Sequence, residues 1–314
     1  MSATRRKDGP PNTLVYGAGS LDSLSAARLD APRRLLVAFA HPDDESFGPA
    51  GTIIHYARQG VAVHLVCATR GEAGDVAPEL LEGCDSLAEL RTQELLCAAS
   101  HLGLAAIHFL GYSDSGMQGS PENQNPASLL QAPMEEVVER IVRLIRQIQP
   151  QVVLTHDPSG GYCHPDHVKL HRATYLAYQA AGSADRVPGQ LVQGLVPYRP
   201  QKLYYTAFPR RLVKVFASLL PLLGQDPEAF GRNHDINVRR IAEVDQVVTT
   251  KIRIRAYFDA GQKAAQCHAS QTGGSSRLLD LFGRLVRYDT FARAIPPFEG
   301  DGLEHDLFAG IEGV

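Results

Sequence analysis

Between residues 34 and 182 the chain runs four times through one pattern: a short apolar run, then a stretch with helix signals. The runs "LLVAFA" (35–40), "VAVHLVCAT" (61–69), "AIHFLG" (106–111) and "QVVLTH" (151–156) are continuous, not alternating, as strands buried on both faces are. The intervening segments 46–59, 86–103, 133–149 and 164–181 read as helices. Pro49 is tolerable in a first turn, Gly60 and Gly103 stand just past two ends, and Pro133 and Pro150 bracket the third helix. Such an alternation predicts an α/β fold: a Rossmann-like, mostly parallel sheet with helices on both faces. "KLYYTAF" (202–208) adds a fifth strand, and 246–254 with 256–270 a further strand and helix. No internal repeat or low-complexity linker divides the chain. The expectation is an N-terminal extension over 1–30 and one domain over 31–314, with core motifs at 34–182 and C-terminal additions at 183–314.

Composition narrows the function classes without naming one. A net charge of -3 over 314 residues gives no reason to expect nucleic acid, and "RRK" (5–7) is a lone basic cluster in a polar tail. No apolar run approaches the ~20 residues of a membrane span, and the start lacks the apolar core of a signal peptide. Five cysteines without a CxxC pair suggest reduced thiols and a cytoplasmic location.

The polar residues gather after the strands. "HPDDESFG" follows the first, "RGEAGD" (70–75) the second, "GYSDSGMQG" (111–119) the third and "DPSGGYCHPDHVKLH" (157–171) the fourth. Right-handed crossovers bring all four loops to one edge of a parallel sheet, where ligands bind. In a 3-2-1-4 strand order the first and fourth loops face each other. Asp43, Asp44 and Glu45 would repel one another beside an apolar interior, and a divalent cation would relieve that repulsion. Two histidine–carboxylate clusters at one edge are what such a cation asks for. Adjacent Asp43 and Asp44 point different ways, so one can bind the metal while the other reaches its water. On the fourth helix His167, one turn in, can ligate, whereas His164 at the mouth can act on substrate and His171 lies two turns down. His55, His64, His101 and His108 fall inside elements and read as packing residues. His156 and Asp157 end a strand near the site and are placed to orient a ligand.

With these residues assembled, the chain resembles the GlcNAc-PI de-N-acetylase family, also called PIG-L or LmbE-like. The matching marks are "AHPDDES" (40–46), "TRGEAGD" (69–75), "RTQEL" (91–95), "DSGM" (114–117), "DPSGGYCHPDHVKLH" (157–171) and the C-terminal "QKAAQCHASQ" (262–271). It looks most like the bacterial branch that deacetylates N-acetylglucosaminyl-inositol or cleaves mycothiol conjugates. The resemblance implies zinc, one ion per chain with iron(II) as the alternative, on His41, Asp44 and His167. It implies Asp43 as general base, His164 as acid or oxyanion partner, and Tyr162 holding substrate or intermediate. Asp75, Arg91 and Asp114 would contact sugar hydroxyls. Arg70 and Cys163 depart from what those relatives carry. Glu45 is open between a bond from a ligand histidine and a helix-capping role, and His268 falls in a segment that could reach the site. The implied partner is a small amino-sugar substrate, with neither nucleic acid nor membrane, and a homo-oligomer is compatible with the sequence. The implied reaction is hydrolysis of an acetamide to acetate and amine. The alternatives are an amidase acting on thiol–sugar conjugates and a metal-dependent phosphoesterase.

Overall fold

Alternation within the apolar runs sorts the core into two layers. A computed structural model describes residues 14–17, 29–230, 237–243, 247–271 and 286–311, so the triplet at 5–7 lies outside the described residues. Five parallel strands form the centre: β2 (Arg34–Phe39), β3 (Ala62–Cys67), β4 (Ala106–Phe109), β5 (Val152–Thr155) and β6 (Lys202–Thr206). Their order is β4-β3-β2-β5-β6, the 3-2-1-4 arrangement with the fifth strand added beside β5. Three antiparallel strands extend the edges: β1 (Leu14–Gly17) on β4, then β8 (Tyr288–Ile295) on β6 and β7 (Thr250–Arg253) on β8.

Odd and even positions of β2 enter different cores. Leu35, Val37 and Phe39 pack with Ile53 and Ile54 of α2 (Ala50–Arg58), Leu95, Ala98 and Leu102 of α3 (Leu87–Leu102) and Ala264 of α6 (Phe258–Cys267). Leu36 and Ala38 pack with Val137, Ile141 and Ile145 of α4 (Met134–Ile148) and Leu170 and Ala177 of α5 (Pro165–Ala180). A strand buried on both faces needs apolar residues at every position, which is why the runs are continuous. Ser86 caps α3 by accepting the Glu89 N–H, and Gly103 ends it in the left-handed region at φ 74°.

Three expectations change. The helix read over 46–59 is broken at Gly48–Pro49 into α1 (Asp44–Phe47) and α2. Proline disfavours helical backbone in the residue before it, and Gly48 turns away at φ -94°, ψ -111°. Strand β8 carries no strand signal in the sequence: it lies between β6 and the edge strand β7, mostly half-buried, and its burial does not alternate. The cysteines are not all reduced: Cys97 of α3 and Cys267 of α6 form a disulfide across 170 residues of chain, while Cys67, Cys84 and Cys163 are free. Among the described residues no helix is long and apolar enough to cross a membrane.

Candidate active site

The strand order turns back between β2 and β5, and the polar cluster stands at the carboxyl ends of these two neighbours. His41 follows β2, and His164 and His167 open α5 after β5. The rings of His41 and His167 approach to 3.1 Å between Nδ1 and Nε2. Asp44 completes the group, with Oδ2 3.7 Å from His41 Nδ1 and Oδ1 3.3 Å from His167 Nε2.

The outward partners of the two rings fix their tautomers. His167 Nδ1 faces the carbonyl oxygen of Gly160 at 3.2 Å, which can only accept. His41 Nε2 faces carboxylates, Asp166 at 3.3 Å and Asp114 at 3.4 Å. Each of these nitrogens therefore carries the proton of a neutral ring. Then His41 Nδ1 and His167 Nε2 are two lone pairs aimed at each other, with a carboxylate alongside. Three acceptors with nothing positive between them repel. A proton or a metal ion resolves the conflict, and two imidazoles with a carboxylate fit a divalent metal.

The charges follow from burial. Burial alone would lower the His41 imidazole, but the carboxylates of Asp114, Asp166 and Asp44 outweigh it and hold the group well above its ordinary range. Burial lowers His167, and the neighbouring His41 lowers it further. His156 behaves alike, stacked on His167 with ring centroids 3.9 Å apart. Its Nε2 accepts the N–H of Ala40, so that lone pair is engaged. Burial raises Asp44 to about 6 against the pull of His41. Burial likewise raises Asp43 to about 7, with Arg91 opposing and Asp44 adding to the rise. A divalent ion would bring these carboxylates back into the ionised state.

The chain is similar to known proteins. Residues 36–178 match the family described as PIG-L: GlcNAc-PI de-N-acetylase. The 1D-myo-inositol 2-acetamido-2-deoxy-alpha-D-glucopyranoside deacetylase of Acidothermus cellulolyticus is 36% identical over 297 residues, covering 90% of this chain and 96% of that protein. The chain belongs to the GlcNAc-PI de-N-acetylase family. Two solved structures share the fold. The N,N'-diacetylchitobiose deacetylase from Pyrococcus horikoshii is similar with TM-score 0.58 at 20% identity, over 88% of this chain and 94% of that one. The 4-carboxy-2-hydroxymuconate hydratase from Pseudomonas putida KT2440 is similar with TM-score 0.55 at 19% identity, over 86% of this chain and 99% of that one. A hydratase and a deacetylase on one scaffold mean that the fold does not choose the reaction, so the side chains must.

The remaining family-type residues divide by where they face. Asp43 sits in backbone that non-glycine residues rarely adopt, φ 124°, ψ -27°. Its Oδ2 accepts from Arg91 Nη2 at 3.1 Å. The same guanidinium donates to the carbonyls of Pro42 (2.6 Å) and Gly71 (2.9 Å). Gly71 has to be glycine: at φ 70° a Cβ would lie 2.0 Å from Arg91 Nη1. Arg91, expected on sugar hydroxyls, is thus buried and turned inward. Asp114 is turned inward too, accepting the Gly116 N–H while its backbone N–H donates to Glu72. Asp75 alone of the three is exposed.

His164 caps α5, its Nδ1 accepting the Asp166 N–H at 3.2 Å, which leaves the proton of a neutral ring on Nε2. Burial and the nearby His41 and His167 keep it neutral, well below the ordinary histidine range. Tyr162 meets the His167 and His164 rings edge-on at 5.0 and 5.9 Å. His171 donates from Nδ1 to the His156 carbonyl and takes no place in the cluster.

The sequence reading missed Asp166. It is fully buried, faces His41 Nε2 and accepts from the Ser115 N–H and hydroxyl. Its one signal was a carboxylate in the first turn of a helix that opens at the site. Glu45 also took neither expected role cleanly. It accepts the Asp43 N–H at the start of α1, and it meets His268 rather than a ligand histidine.

Proposed function

We propose that this chain is a zinc-dependent N-deacetylase with one zinc per chain. It hydrolyses the acetamide of an N-acetylglucosamine-containing small molecule to acetate and a free amine. The observation that carries the reading is the 3.1 Å meeting of His41 Nδ1 and His167 Nε2 beside Asp44. The relatives support the substrate class, being named deacetylases of an inositol glycoside of acetamido-glucose at 36% identity.

When bound on His41, Asp44 and His167, zinc supplies a Lewis acid for the amide carbonyl and acidifies a water molecule. Asp43 accepts that water's proton; Arg91 holds one of its oxygens and leaves the other for the water. The water oxygen bonds to the carbonyl carbon. His164 Nε2–H donates to the carbonyl oxygen as negative charge develops, and Tyr162 closes the same side. The carbon–nitrogen bond then breaks, and the proton taken by Asp43 completes the leaving amine. Arg91 and Asp114 act from behind, on Asp43 and His41, while Asp75 meets sugar hydroxyls at the rim.

The test is metal analysis of the purified protein with an acetate-release panel. The panel holds the inositol glycoside, N-acetylglucosaminyl-malate and N,N'-diacetylchitobiose, and a thiol–sugar conjugate is assayed beside it by release of its sugar amine. One metal per chain and fastest release from the inositol glycoside are expected. Two metals per chain, or no acetate from any substrate, would overturn the reading.

A further inference from the structure

Asp43 needs something to hold its unusual backbone, and part of the hold comes from the other end of the chain. The Asp43 N–H donates to Glu45 Oε2 at 2.9 Å. Glu45 is fully buried, and its second oxygen, Oε1, accepts from Ser46 Oγ at 2.6 Å and from His268 Nε2 at 2.8 Å. His268 is also fully buried and lies 223 residues downstream. Its other ring nitrogen, Nδ1, has no hydrogen-bond partner among the described residues. The ring's hydrogen bonding is therefore spent on Glu45.

The turn that carries His268 is fastened to α3. Cys267, the preceding residue, is bonded to Cys97. Ser270, two residues on, donates its N–H and hydroxyl to Glu94 at 2.7 and 2.6 Å. Arg91, Glu94 and Cys97 stand three residues apart along this one helix. Helix α3 thus reaches Asp43 twice. Arg91 grips its carboxylate directly; Glu94 and Cys97 hold the turn whose histidine holds Glu45, which in turn holds the Asp43 backbone.

We infer that His268 and Glu45 are a positioning couple that fixes Asp43 in its strained conformation. The inference rests on reading Asp43 as the general base. Neither residue touches the reacting atoms, and neither is a metal ligand. Losing the couple should let Asp43 relax and misplace its carboxylate while the metal site stays filled. Supporting groups of this kind are typically worth about 10–100-fold in activity.

The experiment compares His268→Ala, His268→Gln, His268→Asn and Asp43→Asn as full-length, metal-loaded protein, reading kcat, KM and metal content on the inositol glycoside. His268→Ala should lose about 10-fold or more in kcat, with KM within about threefold and one metal per chain retained. Gln can place an amide N–H near the position of Nε2 and Asn cannot, so His268→Gln should recover most of the loss and His268→Asn should not. The Gln–Asn contrast decides the matter even if the alanine variant fails to fold. An undiminished kcat in His268→Ala, or equal rates for Gln and Asn, would overturn the inference. A fully active Asp43→Asn would overturn the base assignment itself, whatever the His268 variants do.

Discussion

Two pairs of buried histidines, one within the sheet and one at its carboxyl edge, meet nitrogen to nitrogen and behave oppositely. His64 on β3 and His108 on β4 stack with centroids 5.4 Å apart, and His64 Nδ1 meets His108 Nε2 at 3.2 Å. His41 and His167 meet at nearly the same distance, 3.1 Å. No carboxylate is among the causes that set the charge of His64; burial, His108 and Arg34 push it down to about 2. Asp44, Asp114 and Asp166 surround His41 and raise it. One pair sits within the strands and the other just past their ends, where loops can deliver carboxylates. Burial makes a histidine pair structural in the first place and reactive in the second. The difference is the charge that the loops bring.

The comparison breaks most visibly in turnover. Replacing His41 or His167 by alanine should remove the ion and with it several kcal/mol of transition-state stabilisation, a loss of about 10³-fold or more in kcat/KM. Asp43→Asn should keep the metal and lose roughly 10²–10⁴ in kcat, measured by acetate release. His164→Ala should cost about 10² in kcat with the metal in place; an empty site in that variant would move His164 into the ligand set.

Proton uptake sharpens the contrast. His41 is raised, so the metal-free cluster holds a proton near neutral pH, and metal must displace it. Calorimetric titration of the metal-free protein in two buffers should show proton release on binding, and affinity should fall as pH falls. The smallest effect belongs to the structural pair. His64 is lowered in the folded state, so the unfolded chain takes a proton below about 6.5 that the native chain refuses. Its contribution is fully present above pH ~6.5 and is lost as pH falls towards the folded value. His64→Asn should leave kcat unchanged. It should flatten the acid side of the stability profile by up to about 1.4 kcal/mol per pH unit, read from denaturant melts between pH 6.5 and 4.5.

The central strand order and the meeting of the two histidine motifs were legible because their signals are local. Apolar runs mark buried strands, and parallel topology alone sends their loops to one edge. What was not legible depends on contacts between distant segments. Nothing near Glu45 announces a histidine 223 residues away, and nothing near Cys97 announces Cys267. The resemblance implies that Arg91 and Asp114 face substrate, but side-chain direction is set by packing: Gly71 opens the space into which Arg91 turns. The helix break at Gly48–Pro49 did carry a signal, since a proline constrains the residue before it as well as itself. Strand β8 is paired on both sides by β6 and β7, but only Phe291 in it is fully buried, so no alternation marks it in the sequence.

Elemental analysis of purified wild type beside His167→Ala, at equal protein concentration, addresses the account most directly. If acceptors from loops far apart in sequence converge on a shared cation, wild type carries one divalent ion per chain and the variant carries almost none. A wild-type protein that binds no divalent metal, or a His167→Ala protein that keeps its full complement, would contradict it.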